Sequence, residues 1–66
     1  MQDIIKTFNI KIAERNLKQK DLAELIGVPE DRLSRILNYK SKMLATEMLR
    51  LSYALDVDLN EYRETA

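Results

Sequence analysis

The chain has 66 residues, with 11 basic and 11 acidic side chains, so its formal net charge is zero. This length allows one small domain, which we predict to span residues 1–66. The sequence contains neither cysteine nor histidine. That composition excludes disulfide scaffolds, thiol nucleophiles, imidazole acid–base catalysis and zinc sites built from these residues. We therefore expect a protein that is not an enzyme and that binds no metal and no cofactor.

The remaining composition favours helices. Hydrophobic residues make up 45% of the chain, yet it has only one glycine and one proline, too few turn residues for a small β-sandwich or barrel. No apolar run is long enough to cross a membrane, and the first residues lack the features of a signal peptide. We expect an all-α cytoplasmic protein without a membrane partner.

The charges are unevenly distributed along the chain. Residues 18–42 carry six basic and four acidic side chains, whereas residues 43–66 carry two basic and five acidic ones. The middle of the chain is therefore mildly basic and its C-terminal third is acidic.

Apolar residues at three- and four-residue steps predict the helices. The first helix covers residues 3–15. A second helix follows Lys18 and stops at Gly27, the usual left-handed residue after a helix end. Pro29 at a first helical position then begins a third helix, whose first turn carries Glu30 and Asp31. The apolar positions on the three helices are Ile4, Ile5, Phe8 and Ile12, then Leu22, Ala23 and Ile26, then Leu33, Ile36 and Leu37.

Residues 38–44 predict a loop, since they are polar and basic and have no clear period. A fourth helix ends near Asp56, with its apolar face formed by Met48, Leu49, Leu51, Ser52 and Leu55. Asp58 and Glu61 have the spacing of a capping box and predict a short fifth helix over residues 59–63.

The run LKQKDLAELIGV at residues 17–28 resembles the helix-turn-helix segment of the phage repressor and Cro-like family, also called XRE. The resemblance continues through LSRI at residues 33–36 and LSYALDVDL at residues 51–59, and spans roughly residues 4–62. It implies a compact five-helix, lambda-repressor-like domain that binds double-stranded DNA, with the third helix in the major groove.

The resemblance also implies which side chains contact DNA. Gln19 corresponds to a glutamine that touches phosphate at the start of the second helix. Arg35 corresponds to a base-reading position and can donate to guanine O6 and N7. The other predicted DNA contacts are Glu30, Asp31, Arg32 and Ser34 on the third helix and Asn38, Lys40 and Lys42 in the loop that follows it.

Some of these predicted DNA contacts also have simpler interpretations. Gln19 could be an ordinary exposed first-turn residue, and Lys40 and Lys42 could be solvated loop charges. Glu30 and Asp31 could serve only the helix dipole, or could accept from a cytosine amino group.

Three positions depart from the family pattern. Family members commonly pair an Arg in the first helix with a Glu at the end of the third, and Ile12 and Leu37 stand at these positions. A double replacement of this kind preserves the fold, because packed apolar residues can substitute for a buried ion pair. Tyr39 stands where the family often has Gly, so we expect either a rerouted loop or a slightly longer third helix.

The family resemblance further implies a symmetric homodimer built from the last helices. The corresponding positions here are Tyr53, Val57, Leu59 and Tyr62, although ordinary packing would account for them equally well. We predict a sequence-specific transcriptional regulator, most simply a repressor. The alternative is a protein-interaction module, such as an antitoxin or a subunit of a complex, that binds DNA weakly and has a protein partner.

Overall fold

The computed structural model describes residues 3–58 of the chain. The described residues form four α-helices and no strand. They are α1 (Ile4–Glu14), α2 (Gln19–Ile26), α3 (Glu30–Leu37) and α4 (Ala45–Leu55). The all-α prediction is confirmed. The count of five helices does not match these four, and the predicted fifth, with its capping box to Glu61, lies outside the described residues.

The four helices pack around one apolar core. Its fully enclosed side chains come from α1, α3 and α4: Phe8, Leu33, Ile36, Leu51 and Leu55. The α2 side chains Leu22, Ala23 and Ile26 are buried beside them. Ile4, Ile5 and Ile12 are half-buried against the core. The apolar faces predicted for the first three helices are therefore confirmed.

The prediction for α4 needs one correction. Leu51, Ser52 and Leu55 are buried and Met48 is half-buried, but Leu49 is 56% exposed. Its place on the inner face is taken by Glu47, which is buried. The physical reason is that the Glu47 carboxylate has a partner on α3, the guanidinium of Arg32.

All four helices end in the same way, with one residue in the left-handed conformation. These residues are Asn16 (φ 54°), Gly27 (φ 78°), Tyr39 (φ 64°) and Asp56 (φ 57°). In each case the amide of the next residue donates to a carbonyl five positions earlier, in the last turn of the helix. Each helix is therefore followed by a sharp change of direction.

The structure differs from both expectations for the loop after α3, which were a rerouted loop and a slightly longer helix. The helix ends at Leu37, and Tyr39 itself adopts the left-handed conformation that glycine would take more easily. Its hydroxyl donates a hydrogen bond to Asp3 Oδ2, and Lys40 N donates to Arg35 O at 2.8 Å. These bonds hold the backbone in place despite the unfavourable φ.

The start of α3 also differs by one residue from the prediction. Pro29 has φ −62° and ψ 146°, so it precedes the helix as an extended cap instead of occupying its first position. Glu30 and Asp31 still lie in the first turn, where negative charge suits the helix dipole.

The replaced family ion pair is accommodated by apolar packing. Leu37 is buried and Ile12 is half-buried against the core. One polar link between α1 and α3 remains nearby, because Asn9 Nδ2 donates to Leu37 O at 3.0 Å. It satisfies a carbonyl in the last turn of α3.

Candidate nucleic-acid interface

α2 and α3 are joined by a tight connection of Gly27, Val28 and Pro29. The left-handed φ of Gly27 lets the chain turn directly after α2, and Val28 N donates to Ala23 O at 3.1 Å. Arg50 of α4 donates from Nη1 to Ile26 O at 3.1 Å, which fixes the end of α2 against α4. The two helices therefore form a helix-turn-helix unit held on the core.

α3 presents a polar face to solvent. Asp31, Arg35 and Asn38 recur at three- and four-residue steps on the side opposite to the buried Leu33 and Ile36, and all three are exposed. Ser34 lies beside them and is half-buried, whereas Glu30 is exposed at the front of the helix. Most of the predicted base-reading side chains therefore share one accessible surface.

Two side chains on this face have partners within α3. Arg35 Nη1 lies 3.1 Å from Asp31 Oδ2, an ion pair between successive turns. Asn38 Nδ2 donates to Ser34 O at 2.8 Å, a carbonyl that also accepts from Asn38 N. Arg35 keeps its Nε and Nη2 groups without a partner among the described residues.

Arg32 has a different environment from the rest of the predicted contacts. Its Nε and Nη2 donate to the two carboxylate oxygens of Glu47 at 2.6 and 2.9 Å, and Nη2 also donates to Lys42 O at 3.3 Å. The Glu47 carboxylate accepts a further bond from Leu44 N at 2.8 Å. This pair joins α3, the loop after it and the start of α4.

The Arg32 guanidinium lowers the pKa of Glu47, and the bond from the Leu44 amide acts in the same direction against the opposing effect of burial. Glu47 in turn raises the pKa of Arg32. The carboxylate is therefore charged at neutral pH in a buried position, where each of its bonds is charge-assisted.

The loop after α3 carries Lys40 and Lys42, and both side chains are exposed. The loop is held by the Tyr39 hydroxyl on Asp3, the residue that also caps α1 by accepting from Ile5 N and Lys6 N. The Tyr39 bond is the main cause of a lowered pKa for Asp3, and the same bond raises the pKa of Tyr39. The two lysines thus project from a fixed backbone.

Gln19 is the first residue of α2 and is half-buried. The amides of the first turn of a helix have no intrahelical acceptor and favour an anion. Gln19 is therefore located where the end of α2 could meet a phosphate group.

The residues predicted for a dimer contact fall into two groups. Tyr53 is 83% exposed on α4, whereas Val57 is half-buried against the core. Leu59 and Tyr62 lie outside the described residues. Tyr53 instead forms one side of an exposed apolar groove of about 550 Å³ between α2 and α4, lined by Leu25, Ile26, Leu49, Arg50, Tyr53 and Ala54.

The family model described as Helix-turn-helix matches residues 9–62, which includes α2, the turn and α3. The chain belongs to the helix-turn-helix family of the Cro/XRE type. Members of this family are DNA-binding regulators, and the match confirms the resemblance drawn from residues 17–28. Comparison with curated proteins and with solved structures gave no match. Of the helices described in this helix-turn-helix chain, none is both long and apolar enough to span a membrane.

Sequence reasoning missed Glu47 and Asp3. Glu47 lies one helical turn before Leu51 on the inner face of α4, and a carboxylate at a buried position requires a cation. Periodicity could therefore have flagged Glu47, although not its partner. The link from Asp3 to Tyr39 joins residues 36 positions apart, and no sequence signal indicates it.

Proposed function

We propose that this protein is a sequence-specific transcriptional repressor that inserts α3 into the major groove of DNA. The observation that carries the proposal is the exposed polar face of α3, on which the Nε and Nη2 groups of Arg35 have no partner among the described residues, while the opposite face of the same helix is fixed in the core. A helix held in this way can dock as a rigid unit, which is what base reading in the major groove requires.

Arg35 is the proposed base-reading residue, with guanine as its partner. Gln19, Lys40 and Lys42 are the proposed phosphate contacts, since Gln19 begins α2 and the two lysines extend from the loop after α3. Such contacts add affinity for any sequence and make it depend on salt.

Arg32 is proposed as a structural brace. Its Nε and Nη2 already bond to a buried carboxylate, and releasing them to DNA would leave Glu47 charged and unpaired. Ser34 and Asn38 are supporting contacts at the edge of the same face. Two roles remain open for Glu30. It could interact favourably with the helix dipole, or it could accept a hydrogen bond from a cytosine amino group.

The proposed active form is a homodimer in the cytoplasm, bound to a two-fold-symmetric operator whose half-sites are about 34 Å apart. One eight-residue helix offers few base contacts, and a second copy doubles them. The exposed apolar side chains Leu25, Leu49 and Tyr53 support a protein contact on the face between α2 and α4. Repression would follow from occlusion of polymerase, without enzymatic activity.

The proposal is tested by selection from a random duplex pool, followed by binding measurements on the enriched sequences. We expect a palindromic consensus. Arg35→Ala should lose discrimination at one base pair per half-site, at a cost of ~1–3 kcal/mol. The matched control is Lys6→Ala, which removes an exposed cation from α1 and should leave every base preference unchanged.

An unenriched pool with folded protein would overturn this proposal and favour the second candidate, a protein-interaction module. The specific observation behind that candidate is that Glu30 and Asp31 are both exposed at the front of α3, where carboxylates meet phosphates with the wrong sign. The exposed groove between α2 and α4 would then hold a protein partner, and co-purification would be the next experiment.

A further inference from the structure

Asp31 and Arg35 are one helical turn apart on the exposed face of α3. The contact joins Asp31 Oδ2 to Arg35 Nη1 at 3.1 Å, and the two side chains are 75% and 50% exposed. This single bond occupies one terminal nitrogen of the guanidinium. Its Nε and Nη2 form the remaining edge, and neither has a partner within residues 3–58.

We propose that Asp31 is a positioning residue, which holds the Arg35 guanidinium so that its Nε–Nη2 edge is presented to a guanine. The inference rests on the proposed function, because it concerns the base that Arg35 reads. It gives Asp31 a role distinct from both earlier interpretations, since the carboxylate neither contacts a base nor serves only the helix dipole.

The ion pair explains how a carboxylate can favour base recognition on a surface that contacts DNA. An arginine side chain has many rotamers, and fixing it before binding lowers the entropy lost in the complex. In water an exposed ion pair of this kind is weak. When DNA excludes water from α3, the attraction between the two groups increases, because the local dielectric falls.

The negative charge of Asp31 also affects the affinity for DNA of any sequence, and there its effect is unfavourable. A carboxylate near phosphates repels every duplex to a similar extent, whatever its sequence. Asp31 should therefore reduce binding to all sequences while it increases the preference for guanine at one position. This combination separates positioning from a purely electrostatic role.

The test compares Asp31→Asn with Glu30→Gln on the selected operator and on operators with each other base at the position assigned by Arg35→Ala. Both variants remove one negative charge from the first turn of α3, but only Asp31 has an ion pair with Arg35. Both should bind all duplexes more tightly. Only Asp31→Asn should reduce the preference for guanine, by at least about threefold, as expected for side chains in contact.

Two further variants complete the design. Asp31→Glu retains the carboxylate at a spacing that still reaches Arg35, and it should keep most of the preference. In an Arg35→Ala background, Asp31→Asn should change discrimination at no base pair.

The outcomes distinguish this inference from the proposed function. If the wild-type protein discriminates but Asp31→Asn keeps the full preference for guanine, the positioning role is wrong and the proposed function stands. A loss of preference at a different base pair would also overturn it, because Asp31 would then be reading a base directly. If the wild-type protein has no base preference, the proposed function and this inference fail together.

Discussion

Glu47 shows how much one side chain decides in this protein. It lies on the inner face of α4, and its carboxylate accepts bonds from Arg32 Nε and Nη2 and from Leu44 N. These bonds tie α3 to α4 across the loop that carries the lysines. The family's usual Arg and Glu positions hold Ile12 and Leu37 here, so a polar link between helices is found at a different place in the same fold.

Glu47→Gln is expected to lower the free energy of unfolding at neutral pH by roughly 1–3 kcal/mol, because buried charge-assisted bonds are weakened. The pKa of Glu47 is lowered in the folded protein, so its contribution is present above the pKa that Glu47 has in the unfolded chain and is lost as pH falls through the lowered pKa of the folded state. The variant should therefore also show a flatter acid limb of stability. Denaturant unfolding between pH 2 and 7 measures both effects.

The matched control for this prediction is Glu24→Gln, on the exposed side of α2. It removes the same charge without a buried contact, so stability at neutral pH should change little. Equal effects of the two substitutions would show that the Arg32 pair contributes nothing specific.

The hydrogen bond between Tyr39 and Asp3 gives a second prediction about single residues and stability. Tyr39→Phe removes only the hydroxyl that donates to Asp3, so it should lower the melting temperature and make stability less sensitive to acid. The sign follows from the lowered pKa of Asp3, because that stabilisation is lost as pH falls. Asp3→Asn in the Tyr39→Phe background should have a smaller effect than in the wild type. Additive effects would contradict a direct interaction.

At the scale of elements, the decisive feature is that α3 is fixed from three sides. Its apolar face packs in the core, Asn9 of α1 binds its last turn, and Glu47 of α4 binds Arg32. The loop that follows is held at Tyr39 and at Lys42 O. The helix that we propose to read DNA and its basic loop are therefore held at one relative position before any partner binds.

Replacing Lys40 and Lys42 together with Ala should weaken binding to every duplex and reduce the slope of log K against log salt by roughly two. The reason is the loss of two cations that release counterions from phosphates. Titrations at several salt concentrations, on the selected operator and on random DNA, give the slope directly. An unchanged slope would remove this loop from the contact surface, and Lys6→Ala serves again as the comparison.

In the molecule as a whole, the two exposed faces have different proposed roles, one in DNA binding and one in dimerisation. The α3 face carries polar and charged side chains, whereas the face between α2 and α4 carries Leu25, Leu49 and Tyr53, of which Leu25 is 71% exposed. An exposed apolar patch on a small domain indicates a protein contact. This division fits a repressor that binds DNA with one face and a second copy with another.

Tyr53→Ser should shift the protein from dimer to monomer, as measured by sedimentation equilibrium over a range of concentrations. It should also weaken operator binding while leaving the base preference of a single half-site unchanged, because Tyr53 is not on α3. Ile10→Ser, at an exposed apolar residue of α1 outside this groove, is the control for a general loss of exposed apolar surface. A dimer that survives Tyr53→Ser would place the contact elsewhere.

The four helices, the apolar faces of the first three and the family could all be predicted from the amino-acid sequence, because helical periodicity and the spacing of the turn after Ile26 are local properties. Three features could not be predicted and emerge from the packing of the helices: Arg32 pairs with Glu47, Tyr39 takes a left-handed backbone and binds Asp3, and Leu49 faces solvent. These features depend on which side chains meet across the core, at separations of up to 36 residues. The physical reason is that periodicity assigns a residue to a face of its own helix, whereas charges and hydrogen bonds select partners that only packing brings within reach.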